Sequence, residues 1–319
     1  MKTTIIVTGA AGFIGSHTCD RLLVEGHRVI GVDDLSSGRA ANLEDASRDP
    51  GFAFEGFDLR APGRFSALVE AARPAAIIHL AGLVSVQASI RDPRLNFSLN
   101  LELTHLVAEA AREQAVPRVV FASSAAIYGD FPHLPLREDI APQPLTPYGA
   151  AKAASEQLLL GHARTYGFVA RCQRYFNVFG PRQDPASPYS GVIAIFLDRM
   201  QAARSPVIYG DGGQTRDFVA VQDVARANVL AATRPGLASG VVNICSGRST
   251  RLNDLAAALA AATGFGGPVT HAGAKPGDIR HSAGDPGRAR EQLGFACEWS
   301  LADALAALAH STRPAVAKS

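Results

Sequence analysis

The residues with the clearest chemical use are a tyrosine and a lysine four positions apart, Tyr148 and Lys152. On a helix such residues share one face, so the phenol and the ammonium lie close together. A free phenol titrates near ~10, too high for a base at neutral pH, but a nearby positive charge favours its ionised form. Such pairs also arise by chance on helices. Ser123 and Ser124 strengthen the catalytic interpretation, because they end an apolar run where ligands of a parallel sheet bind.

A second set of residues predicts a phosphate-binding turn. Gly9, Gly12 and Gly15 follow the apolar run 5–7, and Asp33 lies at the end of the next run. Glycines let a pyrophosphate approach the backbone and the start of a helix, where free N–H groups favour anions. A carboxylate at Asp33 would bond the adenosine ribose and repel a 2′-phosphate, which favours NAD over NADP. Further candidates near the same sheet edge are Asp34, Ser36, Ser37, Asp58 and Leu59.

The elements that position these residues are predicted from short apolar runs bounded by turns. Strands are expected at 5–7, 29–32, 52–55, 77–80, 119–122 and 170–175, and a long helix runs to about residue 165. Continuous apolar strands are buried on both faces, as in a parallel sheet covered by helices. We therefore predict an α/β fold with a Rossmann-type doubly wound parallel sheet.

Beyond residue 180 the regular alternation weakens, and prolines and a Gly-Asp-Gly-Gly turn at 210–213 interrupt the chain. A strand–helix–strand pattern returns between 218 and 245. We therefore predict a nucleotide-binding domain of residues 1–178 plus about 218–246. A smaller α/β domain, of about 179–217 plus 247–312, is expected to form the far wall of a cleft.

Composition narrows the class of protein. The chain is 47% hydrophobic with a net charge of +2, which gives no electrostatic reason to bind nucleic acid or an acidic membrane. No apolar run approaches the ~18 residues of a membrane span. Neither the four cysteines nor the nine histidines show metal-ligand spacing. His79 is expected to make a structural hydrogen bond. We predict a cytoplasmic enzyme without a metal.

Taken together, the motifs resemble the extended short-chain dehydrogenase/reductases of the NAD-dependent epimerase/dehydratase family, over nearly all of the chain. The carrying segments are Thr-Gly-x-x-Gly-Phe-Ile-Gly at 8–15, Ser-Ser-Ala-x-x-Tyr-Gly at 123–129, Tyr-x-x-x-Lys at 148–152 and Arg-Tyr-Phe-Asn at 174–177. Segments 179–185, 210–212 and 216–218 resemble those of members that act on sugar nucleotides, and the chain is most similar to the UDP-sugar 4-epimerases.

The resemblance implies roles for individual residues. Ser124 would bond the sugar O4, Tyr148 would take its proton, and Lys152 would orient the ribose and lower the pKa of the tyrosine. The C4 hydride would pass to NAD and return to the opposite face of a transient 4-keto sugar, without net oxidation. The implied cofactor contacts are Gly9, Gly12, Phe13, Ile14, Gly15, Asp33, Asp34, Ser36, Ser37, Asp58, Leu59, Leu80, Ala81, Gly82, Asn100, Ser123, Tyr148, Lys152 and Tyr175. The implied substrate contacts are Ser124, Asn177, Val192, Arg216, Asp278, Arg280 and Ser282.

Two positions bear on the choice among relatives. Ala125 and Ala126 stand where the 4,6-dehydratases carry an Asp-Glu pair, which disfavours dehydration. Ser282 stands where glucose-restricted relatives carry a tyrosine, which leaves room for an N-acetyl group. UDP-N-acetylglucosamine, UDP-glucose, UDP-glucuronate and dTDP-sugars all stay open, as does a net NAD-dependent oxidoreductase. The presence of Ser124, Tyr148 and Lys152 argues against a non-catalytic redox sensor or scaffold protein. The resemblance further implies a homodimer formed through helices near 100–114 and 151–165.

Overall fold

The computed structural model describes residues 2–184, 191–274 and 279–312. The elements of its first part are β1 (Thr4–Thr8), α1 (Phe13–Val24), β2 (Arg28–Asp33), β3 (Phe52–Gly56), α2 (Arg64–Ala72), β4 (Ala76–His79), α3 (Val86–Arg91), α4 (Pro93–Asn96), a π-helical turn (Phe97–Glu102), α5 (Leu103–Glu113), β5 (Arg118–Ser124), a 3-10 turn (Ala125–Tyr128), α6 (Pro147–Tyr166), β6 (Val169–Tyr175) and β7 (Asn177–Phe179). Those that follow are α7 (Val192–Gln201), β8 (Val207–Tyr209), β9 (Thr215–Arg216), β10 (Phe218–Ala220), α8 (Val221–Thr233), β11 (Gly240–Ile244), β12 (Thr250–Arg251), α9 (Leu252–Thr263), β13 (Thr270–Ala272), α10 (Gly287–Leu293) and α11 (Leu301–Ser311).

Seven parallel strands form the central sheet in the order β3-β2-β1-β4-β5-β6-β11. From β1 the chain builds outward through β2 and β3, and then crosses back to build β4, β5 and β6 on the other side. This change of direction opens a crevice at the carboxyl ends of β1 and β4, where ligands of such sheets bind. The sheet confirms the predicted doubly wound α/β fold.

Strand β1 shows how the sheet is buried on both faces. Ile5 and Val7 belong to the apolar cluster on one face, and Ile6 belongs to the cluster on the other. Successive side chains of a strand point to opposite faces of the sheet. A continuous apolar run is therefore fully buried only when helices cover both faces.

Strand β5 extends two residues beyond its predicted end, through Ser123 and Ser124. The prediction ended at the last apolar residue, but both serines pair in register with Arg174 and Tyr175 of β6. The backbone ladder therefore holds polar residues in strand conformation and brings Ser124 to the sheet edge.

A third apolar cluster lies outside the central sheet. It contains residues of α7, β8, β10, α9 and α11, including Phe196, Ile208, Leu255 and Leu305. The predicted strand near 218–221 forms here as β10, which pairs with β7 and not with the seven strands. None of the helices formed by the described residues has the length and apolar character needed to cross a bilayer.

Candidate active site

The glycine turn between β1 and α1 is too tight for side chains. Gly9 has φ +71°, and an added Cβ would lie 2.7 Å from the Ala81 nitrogen. A Cβ on Gly15 would lie 1.9 Å from the Gly9 carbonyl oxygen. Since α1 begins at Phe13, directly after Gly12, the N–H groups of its first turn point out of the helix start. The turn fits a pyrophosphate bound to main-chain donors.

A cavity of about 280 Å³ opens beside this turn. Nine predicted cofactor contacts line it: Gly9, Asp33, Asp34, Ser36, Ser37, Asp58, Leu59, Ala81 and Gly82. Six further residues complete the wall, and all are apolar: Val32, Phe57, Leu83, Val84, Leu99 and Leu103. Apolar walls with a few fixed polar groups are typical of sites for a nucleoside.

Asp33 is held in place by main-chain donors. Its Oδ2 accepts from the Ala11 nitrogen (3.0 Å) and its Oδ1 from the Leu35 nitrogen (2.8 Å). Burial raises the pKa of the Asp33 carboxyl, and these two bonds oppose the rise. The carboxylate is thereby oriented at the carboxyl end of β2, where an adenosine ribose is expected.

Asn100, next to the cavity residue Gly82, provides a second observation that points to a bound ligand. Its Nδ2 donates to the Leu83 carbonyl (3.1 Å) and to Asn96 Oδ1 (2.9 Å). Its Oδ1 is buried without a partner among the described residues and lies 2.7 Å from a Cβ built on Gly82. A buried polar atom without a partner is costly, so a donor from a bound molecule would stabilise it. The glycine turn, Asp33 and Asn100 together fit NAD.

The start of α6 places Tyr148 beside the end of β5. Thr146 caps the helix by accepting from the Gly149 nitrogen (3.2 Å), and Pro147 occupies the first helical position. A Cβ on Gly149 would lie 2.7 Å from the Ala126 carbonyl oxygen, so only glycine allows this approach. The tyrosine therefore adjoins the segment that begins at Ser124.

Lys152 follows one helical turn later and is 4% exposed. Its Nζ lies 5.9 Å from the centroid of the Tyr148 ring and donates to the Ala122 carbonyl (2.9 Å). Burial lowers the pKa of Lys152 to about 8, and the charge of Glu156 opposes the fall. Burial also raises the pKa of Tyr148, which a hydrogen bond with Ser124 partly offsets. The structure thus brings the three predicted catalytic residues together.

Three of the predicted substrate contacts, Arg216, Arg280 and Ser282, lie on two adjoining segments of the chain. The Thr215 nitrogen donates to the Arg280 carbonyl (3.0 Å), and the Ser282 nitrogen donates to the Thr215 carbonyl (3.2 Å). These two bonds flank the bridge between Thr215 and His281 and hold Arg216, Arg280 and Ser282 close together. The Arg280 guanidinium pairs with both oxygens of Asp211, at 2.7 and 2.8 Å, and holds the pKa of that carboxyl below its usual range.

Comparison with known proteins decides the family. The profile of the NAD dependent epimerase/dehydratase family matches residues 5–245. The chain belongs to this family. It is 40% identical to the UDP-glucose 4-epimerase of Mycolicibacterium smegmatis, over 94% of this chain and 96% of that protein.

Two solved epimerases of this kind have the same fold over nearly their whole length. The UDP-glucose 4-epimerase of Thermotoga maritima, solved with UDP-glucose, superposes with a TM-score of 0.92 at 37% identity, covering 97% of this chain and 98% of that one. The UDP-N-acetylglucosamine 4-epimerase of Methanobrevibacter ruminantium, solved with UDP-N-acetylmuramic acid, also gives 0.92, at 34% identity and the same coverage. NAD is the cofactor of the epimerase/dehydratase family.

Several residues predicted as cofactor contacts of this epimerase/dehydratase fold lie outside the cavity wall. Phe13 and Ile14 form the first turn of α1, and Leu80 follows β4. The Ser123 hydroxyl donates a hydrogen bond to Glu156 (2.5 Å), and the Tyr175 hydroxyl donates one to Asn228 (2.5 Å). These hydroxyls are therefore engaged within the protein, and their contact with NAD stays a prediction.

Among the predicted substrate contacts, Asn177 and Val192 have clear places in the fold. The Asn177 Nδ2 donates to the Asp217 carbonyl (3.0 Å), and Val192 begins α7. Asp278 lies outside the described residues.

The sequence interpretation missed the polar side chains beneath α6. Glu156 and Arg174 form a buried ion pair at 2.7 Å. Glu156 continues the four-residue spacing of Tyr148 and Lys152 along α6, and that spacing is the signal by which it could have been found.

One set of potential metal ligands arises only in three dimensions. His105 and Glu109 of α5 and His162 of α6 bring their ligand atoms within 4.8 Å of one another. Arg112, however, donates to both oxygens of Glu109, at 2.8 to 3.2 Å. This guanidinium already neutralises the carboxylate and would repel a cation.

Proposed function

We propose that this protein interconverts UDP-sugars that differ in configuration at C4, with NAD as its resident cofactor. The observation that carries the proposal is the grouping of Ser124, Tyr148 and Lys152 at the carboxyl edge of the sheet, beside the glycine turn. The names of the similar proteins, UDP-glucose and UDP-N-acetylglucosamine 4-epimerases, support it.

The chain's own residues supply binding and proton transfer. Ser124 orients the sugar O4 by hydrogen bonding, and Tyr148 takes the O4 proton and later returns it. Lys152 provides positive charge that favours the phenolate against the opposing effect of burial. The glycine turn and Asp33 would hold NAD, which would supply reversible hydride transfer at the sugar C4.

The residues after Ser124 favour epimerisation over dehydration. Ala125 and Ala126 lie on the 3-10 turn directly after Ser124, and the Ala126 nitrogen donates to the Ser124 hydroxyl (3.1 Å). A dehydratase needs an acid and a base near C5 and C6, and methyl groups provide neither.

For the sugar, we propose that both UDP-glucose and UDP-N-acetylglucosamine are accepted. Ser282, rather than a bulky tyrosine, leaves space beside the sugar 2-substituent, and its nitrogen is bonded to Thr215 next to Arg216. Arg216 and Arg280 are proposed to neutralise the diphosphate, which requires Arg280 to leave Asp211. UDP-glucuronate or a dTDP-sugar is the second candidate, since Arg280 could instead meet a carboxylate.

The assembly and location are part of the same proposal. We infer a homodimer formed through the outer faces of α5 and α6, and the two-domain division at about 179–217 and 247–312. The four cysteines are free thiols, which suits a reducing compartment such as the cytoplasm.

The test is conversion of each sugar by the purified protein without added cofactor, followed by proton NMR. We expect the 4-epimer of UDP-glucose and of UDP-N-acetylglucosamine to form without net NADH. Stoichiometric NADH would instead identify a net oxidoreductase. No conversion of either sugar, even with added NAD, would refute the proposed substrates and direct the assay to UDP-glucuronate and dTDP-sugars.

A further inference from the structure

A chain of buried polar side chains runs beneath the helix that carries Tyr148 and Lys152. Ser123 donates to Glu156 (2.5 Å), and Arg174 donates to both oxygens of Glu156, at 2.9 and 2.7 Å. Arg174 also donates to the Tyr128 hydroxyl (2.8 Å), which donates to Asn243 Oδ1 (2.7 Å). Glu156, Tyr128 and Asn243 are fully buried, and Arg174 is 3% exposed.

Stability alone is a weak reason for Glu156 and Arg174 to be there. Removing two charges from water is costly, and an apolar pair of similar volume is often at least as stable. The proposed reaction also assigns neither residue a contact with the sugar. Their position relative to the catalytic residues offers a better explanation.

Lys152 and Glu156 hold two consecutive residues of β5. Lys152 Nζ donates to the Ala122 carbonyl (2.9 Å), and Glu156 accepts from the hydroxyl of Ser123. The next residue is Ser124. Two side chains one helical turn apart on α6 therefore fix the distance between that helix and the strand end that presents Ser124.

Glu156 is also the anion closest along α6 to the ammonium of Lys152. The other titratable groups that face this pair are His79 of β4, Cys172 of β6, Tyr128 of the 3-10 turn and Tyr148. Burial lowers the pKa of His79 to about 3, raises that of Tyr128 to about 12 and raises that of Cys172 well above its usual value. These three groups are uncharged at neutral pH. The charged groups are Glu156, whose charge acts on Lys152, its partner Arg174, and Arg171 and Glu138, which act on Cys172 and Tyr128.

We propose that Glu156 is a positioning residue, whose carboxylate, clamped by Arg174 and Ser123, keeps Lys152 charged and seats Ser124 for the reaction. This inference rests on the proposed function, because it assumes that Lys152 must be charged when Tyr148 takes a proton. It predicts that Glu156 acts through its charge, not only through the hydrogen bonds that it accepts.

The test is the pH dependence of kcat for Glu156→Gln, with the substrate that the wild type converts. Lys152 loses its proton as pH rises through about 8. Without the neighbouring anion this loss comes earlier, so we expect the alkaline limb of the profile to move down by about one pH unit. Glu156→Asp, which keeps the charge, should leave the limb in place even if kcat falls.

Tyr128→Phe is the matched control for a structural role. It removes the hydrogen bonds from the Tyr128 hydroxyl and leaves both charges, so it should lower the melting temperature without moving the limb. An alkaline limb that stays at the wild-type pH in Glu156→Gln would overturn the proposal.

Two further measurements test the same role of Glu156 if the first variant does not fold or if the UDP-sugar assay fails. If Glu156→Gln does not fold because Arg174 is left unpaired, Glu156→Gln/Arg174→Gln removes both charges and should shift the limb in the same direction by a smaller amount. The protonation of Lys152 can also be followed without substrate, from the pH dependence of its acetylation by trace acetic anhydride, read by peptide mass spectrometry. A midpoint lowered by about one pH unit supports the role of Glu156 even if the UDP-sugar assay fails, and an unchanged midpoint refutes it.

Discussion

At the residue scale, burial shifts the pKa values of Tyr148 and Lys152, the proposed base and its neighbouring cation, in opposite directions. Burial raises the pKa of Tyr148, which favours the neutral phenol, and lowers the pKa of Lys152 to about 8, which weakens its positive charge. The proposed catalysis near neutral pH therefore requires groups that counter the effect of burial on these two pKa values. The structure provides Ser124 at the phenol and Glu156 at the ammonium.

Replacing Tyr148 with phenylalanine tests the proton acceptor. Tyr148→Phe should reduce kcat by about 10²–10⁴-fold, because the O4 proton then has no acceptor on this face, while NAD stays bound. Turnover by NMR and the NAD content of the purified protein measure the two effects. The matched control is Tyr166→Phe, at the exposed end of the same helix, which should keep full activity. Near-normal turnover by Tyr148→Phe would exclude the tyrosine as the base.

Ser282 is the residue that we expect to admit the larger sugar. Ser282→Tyr should lower kcat/KM for UDP-N-acetylglucosamine by about 10- to 100-fold more than for UDP-glucose, because the ring fills space beside the 2-substituent. Ser282→Ala should leave both sugars unaffected, since the bond to Thr215 uses the main-chain nitrogen of residue 282. Equal losses with the two sugars would remove Ser282 from the specificity determinants.

His79 makes the predicted structural hydrogen bond, to Thr8 Oγ1 at 2.8 Å. Burial, aided by the charge of Lys152, lowers its pKa from 6.5 to about 3. Between these values the unfolded chain binds one more proton than the folded protein. Stability should therefore fall as pH falls below 6.5, with a slope from this residue of up to about 1.4 kcal/mol per pH unit.

His79→Asn keeps a partner for Thr8 but cannot titrate in this range. Urea midpoints between pH 8 and pH 4.5 should consequently fall less steeply for this variant than for the wild type, even if it is less stable at pH 8. Parallel curves for the two proteins would show that His79 does not contribute to acid destabilisation.

At the scale of elements, close backbone approach sets the geometry of the site. The glycine turn joins β1 to α1 without room for a methyl group at Gly9 or Gly15, and Gly149 lets α6 meet the 3-10 turn after Ser124. The helix start at α6 is further specified by the Thr146 cap. These contacts place the start of each helix against the carboxyl edge of the sheet.

Gly15→Ala tests the glycine turn. The added methyl would lie 1.9 Å from the Gly9 carbonyl oxygen, so the backbone must shift. We expect a loss of at least about 2 kcal/mol in the free energy of unfolding, together with weaker NAD retention. Gly266→Ala is the control, because its Cβ would meet nothing within 4 Å. Unchanged stability and NAD content in Gly15→Ala would show that the turn can relax.

At the scale of the whole molecule, α6 has one face packed against the protein interior and one face exposed to solvent. One face carries Lys152 and Glu156 into the buried interior, and the opposite face exposes Gly161 in the C-terminal half of the helix. A Cβ at Gly161 would meet nothing within 4 Å in the single chain. A glycine costs about 1 kcal/mol in a helix, and a close approach by a second copy would explain why it is tolerated.

Gly161→Arg separates the fold of one chain from its assembly. The side chain has open space and better helix propensity, so the single chain should fold at least as stably as the wild type. It would block two α6 helices from packing face to face, and we expect light scattering after size exclusion to show a dimer for the wild type and a monomer for this variant. Gly161→Ala should stay dimeric. A dimeric Gly161→Arg protein would place the interface elsewhere.

The sequence by itself determined the elements whose signals are local. Strand positions followed from apolar runs, the glycine turn from its spacing, and the Tyr148–Lys152 pair from helical periodicity. These features need only a few adjacent residues and their intrinsic geometry, which is why the fold class and the grouping of Ser124, Tyr148 and Lys152 could be predicted.

Only the tertiary structure decided which way the polar side chains point and which distant charges meet. Ser123 and Ser124 are adjacent in sequence, yet one hydroxyl bonds Glu156 and the other bonds Tyr148, eight residues away on the same helix. Arg174 meets Glu156 only because β6 lies next to β5 in the sheet. Pairing across long sequence separations depends on the whole packing of the chain, and no local pattern in the sequence records it.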